Sequence, residues 1–312
     1  MIITKTPFRI SFFGGGSDFP CWYKEHSGAV LSTTINKYCY ISARHLPPFF
    51  EYKHRIVYSK IELIKEISEI KHPAVRECFR FMNVNRGLEI HHDGDLPART
   101  GLGSSSAFTV GLLKALYGLL GKIISKKQLA LDAIYVEQEM IKESVGSQDQ
   151  VAAAFGGFNK ITFAGEHLID VCPITISTAK IKNLQNHLML FFTGWTRYAD
   201  EIEKDKMESV KKKEEEYKIL TDLVDDAIKI LNNDISQLHD FGKLLNESWK
   251  IKKSLSDRVI TNYINEIYET AIKNGALGGK ILGAGGGGFI LFFVPEENKK
   301  KLLKVFKNLL YV

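Results

Sequence analysis

Residues 95–107 read Asp-Leu-Pro-Ala-Arg-Thr-Gly-Leu-Gly-Ser-Ser-Ser-Ala, and this is the most informative stretch of the sequence. A strand-like segment, 88–92, precedes it, and the apolar run 108–116 that follows is typical of a buried helix. Glycines let the backbone approach a ligand closely, and the first N–H groups of a helix carry partial positive charge. A strand, a glycine turn and a serine-rich helix start therefore predict a cradle for an anion such as phosphate.

Two common phosphate loops do not fit this stretch. A Walker loop needs a lysine directly after its last glycine, but Ser104 follows Gly103. A dinucleotide-binding fingerprint needs a third glycine at the position of Ser106. For a generic Gly-Ser run, a serine-capped core helix after a tight turn is an equally good interpretation.

The complete string Pro-x-x-x-Gly-Leu-Gly-Ser-Ser-Ser-Ala, residues 97–107, is more specific. It resembles the phosphate-binding motif of the GHMP kinases, which include galactokinase and the homoserine, mevalonate and phosphomevalonate kinases. The resemblance implies that the phosphates of ATP bind here. The residues that it assigns to the nucleotide are Pro97, Gly101, Leu102, Gly103, Ser104, Ser105 and Ser106.

The composition of the 312-residue chain is that of a globular protein large enough for two domains, with 45% hydrophobic and 25% charged residues. Its formal charge of +6 comes from 42 basic and 36 acidic residues, which suits a small anionic substrate as well as nucleic acid. No segment approaches the roughly 20 apolar residues of a membrane span. Residues 1–5 lack a signal-peptide pattern, so we expect a cytoplasmic protein.

The N-terminal segment 2–13 has the alternation of a strand, with Arg9 on the face opposite Phe8. An arginine in such an apolar strand needs an anionic partner, either a ligand or a carboxylate of the protein. Three glycines, 14–16, then lead into Ser17 and Asp18. Such a loop lets the backbone approach a polyol, and the carboxylate can accept hydrogen bonds from sugar hydroxyls.

The same N-terminal block carries a second resemblance. Galactokinases have Pro-Gly-Arg-x-Asn-Leu-x-Gly-Glu-His-x-Asp here, and Pro7, Arg9, Gly14 and Asp18 fit that frame. Two glycines replace the Glu-His pair that helps to bind galactose, which argues against galactose. The block resembles instead the D-glycero-D-manno-heptose 7-phosphate kinases of the family, and the likeness continues through residues 28–38. The substrate contacts that it implies are Gly15, Gly16, Ser17 and Asp18.

Helical periodicity runs over residues 125–144, and Glu137 falls within the apolar stripe of that helix. A carboxylate on a buried face indicates a metal ion or an ion pair. In the GHMP kinases a glutamate of this helix and the serine of the phosphate motif hold Mg²⁺. The resemblance therefore implies Glu137 and Ser106 as metal ligands.

Asp149 opens a short apolar helix, where it can cap the N-terminus. The string Gly-x-x-Asp-Gln, residues 146–150, with Gly-Gly at 156–157, resembles the catalytic-aspartate segment of galactokinase-like enzymes. The resemblance implies that Asp149 is the general base that takes the proton of the acceptor hydroxyl. Arg9 would lie close by, keep Asp149 ionised and stabilise charge on the transferring phosphoryl group.

Residues 278–293 read as a strand, a glycine turn and an apolar strand, a pattern typical of a hairpin. The string Gly-x-x-x-x-Gly-Ala-Gly-Gly-Gly-Gly also matches the third motif of the GHMP kinases. The resemblance implies a loop near the substrate and the nucleotide phosphates, with Gly285 and Gly286 contacting the substrate.

A buried strand at 188–192 ends in Thr193 and Gly194, and Arg197 follows nearby. These residues are predicted substrate contacts, and we assign Arg197 to a second anionic group, the 7-phosphate of the sugar.

The remaining segments combine predicted strands and predicted helices. His91 and His92 are adjacent on a strand and point to opposite faces, so they cannot both ligate one metal comfortably, and a structural or surface role is expected for both. Further strands are predicted at 28–45, 49–59, 158–163 and 167–172, and helices at 60–85 and through most of 199–274.

Three motifs in the family's order imply an α+β, two-lobed GHMP kinase fold. Its N-terminal domain, 1–175, would carry the ATP loop, and its C-terminal domain, 176–312, would be ferredoxin-like. The implied reaction is ATP- and Mg²⁺-dependent phosphorylation of the anomeric hydroxyl of D-glycero-D-manno-heptose 7-phosphate, giving the 1,7-bisphosphate for nucleotide-activated heptose of a surface polysaccharide. A fucokinase-like sugar 1-kinase and a non-catalytic binding paralogue are the alternatives. Neither nucleic acid nor a membrane is an expected partner, and the protein is expected as a monomer or homodimer.

Overall fold

The computed structural model describes residues 1–166, 168–194, 199–233 and 238–312. Two compact units are each assembled from segments that are far apart in the sequence. The first unit contains Met1–Arg9, Thr34–Ala98 and Gly103–Gly157, and the second contains Ile10–Thr33, Arg99–Leu102 and Phe158–Val312.

The described residues form strands and helices throughout the chain. The strands are β1 (Ile2–Phe13), β2 (Gly28–His45), β3 (His54–Val57), β4 (Ile61–Ile64), β5 (Leu88–Gly94), β6 (Phe158–Ala164), β7 (Leu168–Pro173), β8 (Leu188–Phe192), β9 (Gly278–Ile281), β10 (Phe289–Phe293) and β11 (Leu310–Tyr311). The α-helices are α1 (Pro20–Tyr23), α2 (Pro73–Phe81), α3 (Ser104–Leu119), α4 (Lys126–Tyr135), α5 (Gln148–Phe155), α6 (Thr178–His187), α7 (Ala199–Ser209), α8 (Glu214–Asn232), α9 (Leu238–Ser254), α10 (Asn262–Lys273) and α11 (Glu296–Val305). A π-helical segment, Val136–Ile141, continues α4, and 3₁₀ turns occupy Ile67–Glu69 and Val210–Lys212.

In the first unit the strands lie in the order β4-β3-β5-β2, and β1 also pairs with β2. Strand β3 runs parallel to β5, whereas β4 is antiparallel to β3 and β2 is antiparallel to β5. Helix α3 packs closely on β1, since a Cβ atom on Gly111 would lie 2.8 Å from Oγ1 of Thr6. The Thr4 hydroxyl donates to the carbonyl of Gly111 over 2.9 Å. This contact fixes the strand that carries Arg9 against the helix that begins at the predicted phosphate loop.

In the second unit β6 lies between β2 and β7, with antiparallel pairing on both sides. A separate antiparallel sheet has the order β11-β8-β10-β9, in which Phe191 is opposite Ile290. Large apolar side chains from this sheet and from α9, α10 and α11 bury one another in a shared core. Members of that core include Phe191, Trp249, Tyr268, Ile281, Phe292 and Leu302.

The predicted helix over 60–85 is partly wrong, because Ile61–Ile64 is a strand paired with β3 and only Pro73–Phe81 is α-helical. The apolar spacing in this segment resembles one face of a helix, but Ile61 and Leu63 are exposed while Glu62 is buried. The Glu62 carboxylate accepts hydrogen bonds from backbone N–H groups at 71 and 72, which holds the segment extended. A tertiary contact therefore overrides the local pattern.

Other predicted elements agree with the structure. Strands β1, β2 and β8 have the predicted bounds. The predicted strand at 49–59 shortens to β3, and the predicted helix at 125–144 consists of α4 and the π-helical segment. Within the described parts of the chain, no helix combines the length and the hydropathy needed to cross a membrane.

Candidate active site

The start of α3 has the backbone of an anion cradle. Gly103 is the N-cap residue and adopts a left-handed conformation with φ of +72°. Since the cap is a glycine, no side chain of its own competes for the first N–H groups of the helix, which point out of its N-terminus. Ser106 and Leu102 are buried, whereas Ser105 and Pro97 are exposed. The two buried residues anchor the loop.

Arg9 and Asp149 form a two-pronged ion pair beside this loop. The Arg9 Nε donates to Oδ1 of Asp149 and the Nη2 donates to Oδ2, each over 2.6 Å. The arginine side chain is 5% exposed and the aspartate side chain is 24% exposed. The guanidinium therefore fixes the carboxylate, which remains open to a ligand. Asp149 is the second residue of α5, and its carboxylate serves this pair.

Gly103 lies directly against the Arg9–Asp149 pair. A Cβ atom at Gly103 would be 3.1 Å from Cγ of Arg9 and 3.2 Å from Oδ2 of Asp149. The helix N-terminus therefore lies within van der Waals reach of the Arg9 stem and of the Asp149 carboxylate that the guanidinium holds. Gly103, Arg9 and Asp149 belong to three separate sequence motifs, and they lie together in the first unit.

Glu137 is the centre of a second buried cluster in the same unit. Its Oε2 atom accepts hydrogen bonds from the Ser106 hydroxyl over 2.8 Å and from Nε2 of Gln150 over 2.5 Å. Among the described residues, no hydrogen-bond partner reaches its Oε1 atom. Burial raises the pKa of Glu137 to about 7, since the polar side chains of Thr109, Ser106 and Gln150 only partly offset the desolvation and Glu143 adds negative charge.

The backbone around Glu137 departs from a regular helix. The segment Val136–Ile141 is π-helical, and Lys142 then takes a left-handed conformation with φ of +64°. The side chain of Gln138 donates to the carbonyl of Val145 over 3.0 Å and to the Ser147 hydroxyl over 3.2 Å. These bonds fix the turn between the π-helical segment and α5. Wide helical turns of this kind are frequent at functional sites.

The Glu137 cluster fits a magnesium ion by its donor set. Mg²⁺ prefers oxygen ligands and is commonly held by one or two carboxylates together with phosphate oxygens and water. The unpartnered Oε1 of Glu137 and the hydroxyl of Ser106 are such ligands. In the described residues no group of three or more His, Cys, Asp or Glu side chains is arranged to hold a metal ion.

In the second unit the third glycine-rich motif packs on the start of the phosphate loop. A Cβ atom on Gly101, which has φ of +84°, would lie 2.3 Å from the carbonyl oxygen of Leu282. A Cβ atom on Gly283 would be 2.5 Å from Cα of Gly101. The Phe289 N–H donates to the carbonyl of Thr100 over 3.0 Å. Backbone touches backbone here, which only glycine permits at both positions.

Two buried lysines hold the same glycine-rich loop. Lys252 of α9 donates to the carbonyls of Ile281 and Gly283 over 3.1 and 2.7 Å. Lys206 of α7 donates to the carbonyl of Ala284 over 2.5 Å. Ammonium groups on backbone carbonyls satisfy polar groups that the loop would otherwise bury unpaired.

Gly285 and Gly286, predicted to contact the substrate, pack on the loop before α10. A Cβ atom on Gly285 would lie 2.8 Å from the carbonyl oxygen of Val259. The N–H of Gly286 donates to that carbonyl over 2.9 Å. Their backbone is therefore used in part to shape the loop.

The N-terminal loop of the second unit is internally braced. The Ser17 hydroxyl lies 2.8 Å from the carbonyl oxygen of Gly14 and 2.9 Å from that of Ala29, and it accepts from the Ala29 N–H over 3.1 Å. The buried Asp18 carboxylate accepts from the Gly16 N–H over 2.8 Å. Ser17 therefore shapes the turn, and Gly15, which is partly exposed, presents its backbone.

The remaining predicted substrate residues follow β8. Thr193 donates through both its N–H and its hydroxyl to the carbonyl of Gly288, each over 2.8 Å. Gly194 has φ of +111°, no described residue lies within 4 Å of the position that a Cβ atom would take there, and its carbonyl accepts from the Gly288 N–H over 2.7 Å. Arg197, the predicted ligand of a second anionic group, lies outside the described residues.

Sequence reasoning missed Gln150 and the two lysines. Gln150 belongs to the motif that contains Asp149, so the sequence places it beside the predicted base, but nothing in the sequence indicates that it contacts Glu137. Lys206 and Lys252 lie in charged helices and have the sequence pattern of solvated residues. Their burial depends on the packing of those helices.

Two family descriptions match the sequence. The GHMP kinases N terminal domain matches residues 62–157, and the GHMP kinases C terminal domain matches residues 227–311. The first range includes the phosphate loop, Glu137 and Asp149, and the second includes the third glycine motif.

Several characterised proteins are similar over most of the chain. A D-glycero-alpha-D-manno-heptose 7-phosphate kinase of Campylobacter jejuni is 32% identical over 91% of this chain and 86% of its own length. A bifunctional fucokinase/GDP-fucose pyrophosphorylase of Arabidopsis thaliana is 25% identical over 90% of this chain, which spans only 28% of that protein. The crystal structure of a D-glycero-D-manno-heptose 1-phosphate kinase from Bacteroides thetaiotaomicron has a TM-score of 0.79 at 24% identity, covering 100% of this chain and 95% of its own.

Proposed function

This chain belongs to the GHMP kinase family and is a phosphotransferase, and we propose that it transfers the γ-phosphoryl group of ATP to the anomeric hydroxyl of D-glycero-D-manno-heptose 7-phosphate. The product would be the heptose 1,7-bisphosphate, a precursor for a nucleotide-activated heptose. The geometry of the site supports the phosphoryl transfer, and the relatives and the N-terminal loop support the identity of the acceptor.

The observation that carries the chemistry is the contact of Gly103 with the Arg9–Asp149 pair. Phosphoryl transfer requires an attacking oxygen, an acceptor for its proton and positive charge at the transferring group, all held in line. A helix N-terminus that receives phosphates, a guanidinium and a partly exposed carboxylate lie side by side here. Positioning and electrostatics supply most of the rate in such reactions, and this arrangement offers both.

We assign each of these groups a role. Asp149 accepts the proton of the sugar hydroxyl as that oxygen attacks the γ-phosphorus, and the bond from the γ-phosphorus to the bridging oxygen breaks to release ADP. Arg9 holds the carboxylate by two hydrogen bonds and contributes positive charge beside the transferring group. The backbone of Gly101–Ser106 binds the phosphates of ATP at the start of α3.

The metal of the reaction is assigned to Ser106 and Glu137. When bound, Mg²⁺ neutralises charge on the β- and γ-phosphates. The unpartnered Oε1 of Glu137 supports this assignment, since a buried carboxylate oxygen without a partner is costly in a protein that binds no cation there.

The acceptor is assigned from the relatives and from the N-terminal loop. The relative from Campylobacter jejuni, named for the heptose 7-phosphate, is similar over almost the whole chain. Gly15 and Gly16 stand where galactokinases have a Glu-His pair, and we assign Gly15, Gly16 and Asp18 to the sugar. A fucokinase-like activity is the second candidate, because the plant protein with a fucokinase part matches 90% of this chain.

A substrate panel tests the proposal. ATP consumption is measured with D-glycero-D-manno-heptose 7-phosphate, sedoheptulose 7-phosphate, mannose, galactose and fucose, and ³¹P NMR locates the new phosphate. We expect turnover with the manno-heptose 7-phosphate and phosphorylation at the anomeric oxygen. Asp149→Asn should lower kcat by about 10²–10⁴-fold because it removes the proton acceptor. Asp240→Asn, a surface aspartate paired with Lys243, is the control and should keep the wild-type rate.

The outcomes separate the two arguments. Turnover of fucose in place of the heptose phosphate would overturn the acceptor and leave the chemistry standing. Wild-type kcat in Asp149→Asn would overturn the assignment of the base. A new phosphate on any other oxygen would contradict the anomeric assignment.

A further inference from the structure

The first turn of α5 sends two adjacent side chains to different partners. Asp149 bonds to Arg9, and Gln150 donates from Nε2 to Oε2 of Glu137 over 2.5 Å. Successive residues of an α-helix point about 100° apart around its axis. One turn of one helix therefore reaches both the carboxylate pair and the buried glutamate.

Gln150 has an unusual environment for an amide. It is fully buried, and no described residue is a hydrogen-bond partner of its Oε1 atom. A buried acceptor without a partner is costly, and native proteins contain few of them. An apolar side chain of similar size would avoid this cost. The amide therefore calls for a role that offsets it.

The hydrogen bonds of Glu137 suggest that role. Its Oε2 atom accepts from two donors, Ser106 and Gln150, whereas its Oε1 atom accepts from none of the described residues. Two donors on one oxygen fix the plane of the carboxylate and leave the other oxygen available to a cation. Groups that orient a ligand in this way belong to the working metal site as much as the ligand itself.

We propose that Gln150 is a positioning residue of the magnesium site: its amide holds Glu137 with Oε1 directed to the cation, and its place on α5 couples that carboxylate to the adjacent Asp149. The inference rests on the proposed function, which assigns the metal to Glu137 and the acceptor proton to Asp149. It adds that one helical turn carries both the residue that would orient the metal ligand and the proposed base.

The test measures metal affinity directly in the full chain. Gln150→Met keeps the length of the side chain without a donor, and Gln150→Asn keeps a donor one methylene too short. Mn²⁺ is the probe, with free Mn²⁺ followed by electron paramagnetic resonance in the presence of a non-hydrolysable ATP analogue. We expect the Kd for Mn²⁺ to rise about 10–100-fold in both variants, as for other residues that orient metal ligands. Gln128→Met, which removes a hydrogen bond to Asp132 on α4, is the matched control and should bind Mn²⁺ normally.

Kinetics provide a second readout. In the Gln150 variants the Mg²⁺ concentration for half-maximal rate should rise by the same factor, and saturating Mg²⁺ should restore most of kcat. Asp149→Asn should lose kcat with unchanged Mn²⁺ affinity and without rescue by Mg²⁺. A merely structural role for Gln150 would lower kcat without this rescue.

Glu137→Gln distinguishes a failure of the role of Gln150 from a failure of the metal assignment. If Glu137→Gln weakens Mn²⁺ binding and both Gln150 variants bind as the wild type does, the inference on Gln150 fails and the metal assignment stands. If all three bind Mn²⁺ normally, the metal assignment itself fails and takes the inference with it. Should Gln150→Met not fold, Gln150→Asn alone decides.

Discussion

Substituting Gly103 by alanine tests whether the start of α3 holds the Arg9–Asp149 pair in place. The left-handed backbone at Gly103 costs a residue with a Cβ atom about 1–2 kcal/mol. The new Cβ would also lie 3.1 Å from Cγ of Arg9 and 3.2 Å from Oδ2 of Asp149, so these neighbours must retreat by a few tenths of an ångström. Misplacement of reacting groups by 1 Å can cost about 10²-fold in rate, so a smaller shift should lower kcat about tenfold.

Gly121→Ala separates backbone strain from displacement of the pair. Gly121 has φ of +65°, close to that of Gly103, but no atom of the described residues lies within 4 Å of the position of its Cβ atom. Both variants should lose about 1–2 kcal/mol of unfolding free energy in urea titrations. Only Gly103→Ala should lose kcat, measured as initial rates at saturating ATP and sugar phosphate.

Two results would contradict the view that Gly103 keeps the Arg9–Asp149 pair in its working position. A wild-type kcat in Gly103→Ala would mean that the pair tolerates the added methyl group or that its position does not matter. An equal loss of kcat in Gly121→Ala would mean that the rate responds to general destabilisation.

Three further predictions concern the two units separately. Lys252→Met should lower the unfolding free energy by about 1–3 kcal/mol because two loop carbonyls lose their donor, whereas Lys243→Met on the exposed side of the same helix should change it little; equal losses would contradict the argument. Between pH 4.5 and 7 the folded, metal-free protein keeps a proton on Glu137 that the unfolded chain releases, so stability falls as the pH rises. Glu137→Gln should remove this pH dependence, which is worth up to about 3 kcal/mol of unfolding free energy in urea titrations with EDTA. An unchanged pH dependence in the variant would mean that another titratable group causes it. Gly101→Ala should raise KM for ATP and lower the melting temperature, because its Cβ would lie 2.3 Å from the carbonyl of Leu282; normal values for both would show that the loop can move aside.

The segments that could be predicted from the sequence are those whose conformation depends on their own residues. The glycines at 101 and 103 take the positive φ angles that the phosphate motif requires, and the apolar run after Ser106 is the buried helix α3. Strand β1 has its predicted bounds because its twelve residues, rich in β-branched and aromatic side chains, favour an extended conformation by themselves. Local preference and fold agree at these places.

Segments whose conformation depends on distant partners were predicted less well. The segment Ile61–Ile64 is a strand and not the predicted helix, since its apolar spacing fits a helical face but its pairing with β3 and the hydrogen bonds to Glu62 hold it extended. The π-helical turn around Glu137 has no counterpart in the pattern of residues 125–144, which indicates an ordinary helix.

For the candidate site, the sequence determined the chemical groups and the local shape of the loop that begins α3. It also showed that Arg9 needs an anionic partner, and the family resemblance named Asp149. The tertiary structure decided which groups touch: Arg9 with Asp149 across 140 residues, and Gln150 with Glu137 across 13. The reason is physical: backbone preferences act between neighbours in the chain, whereas a buried polar side chain takes its partner from whatever element packs against it.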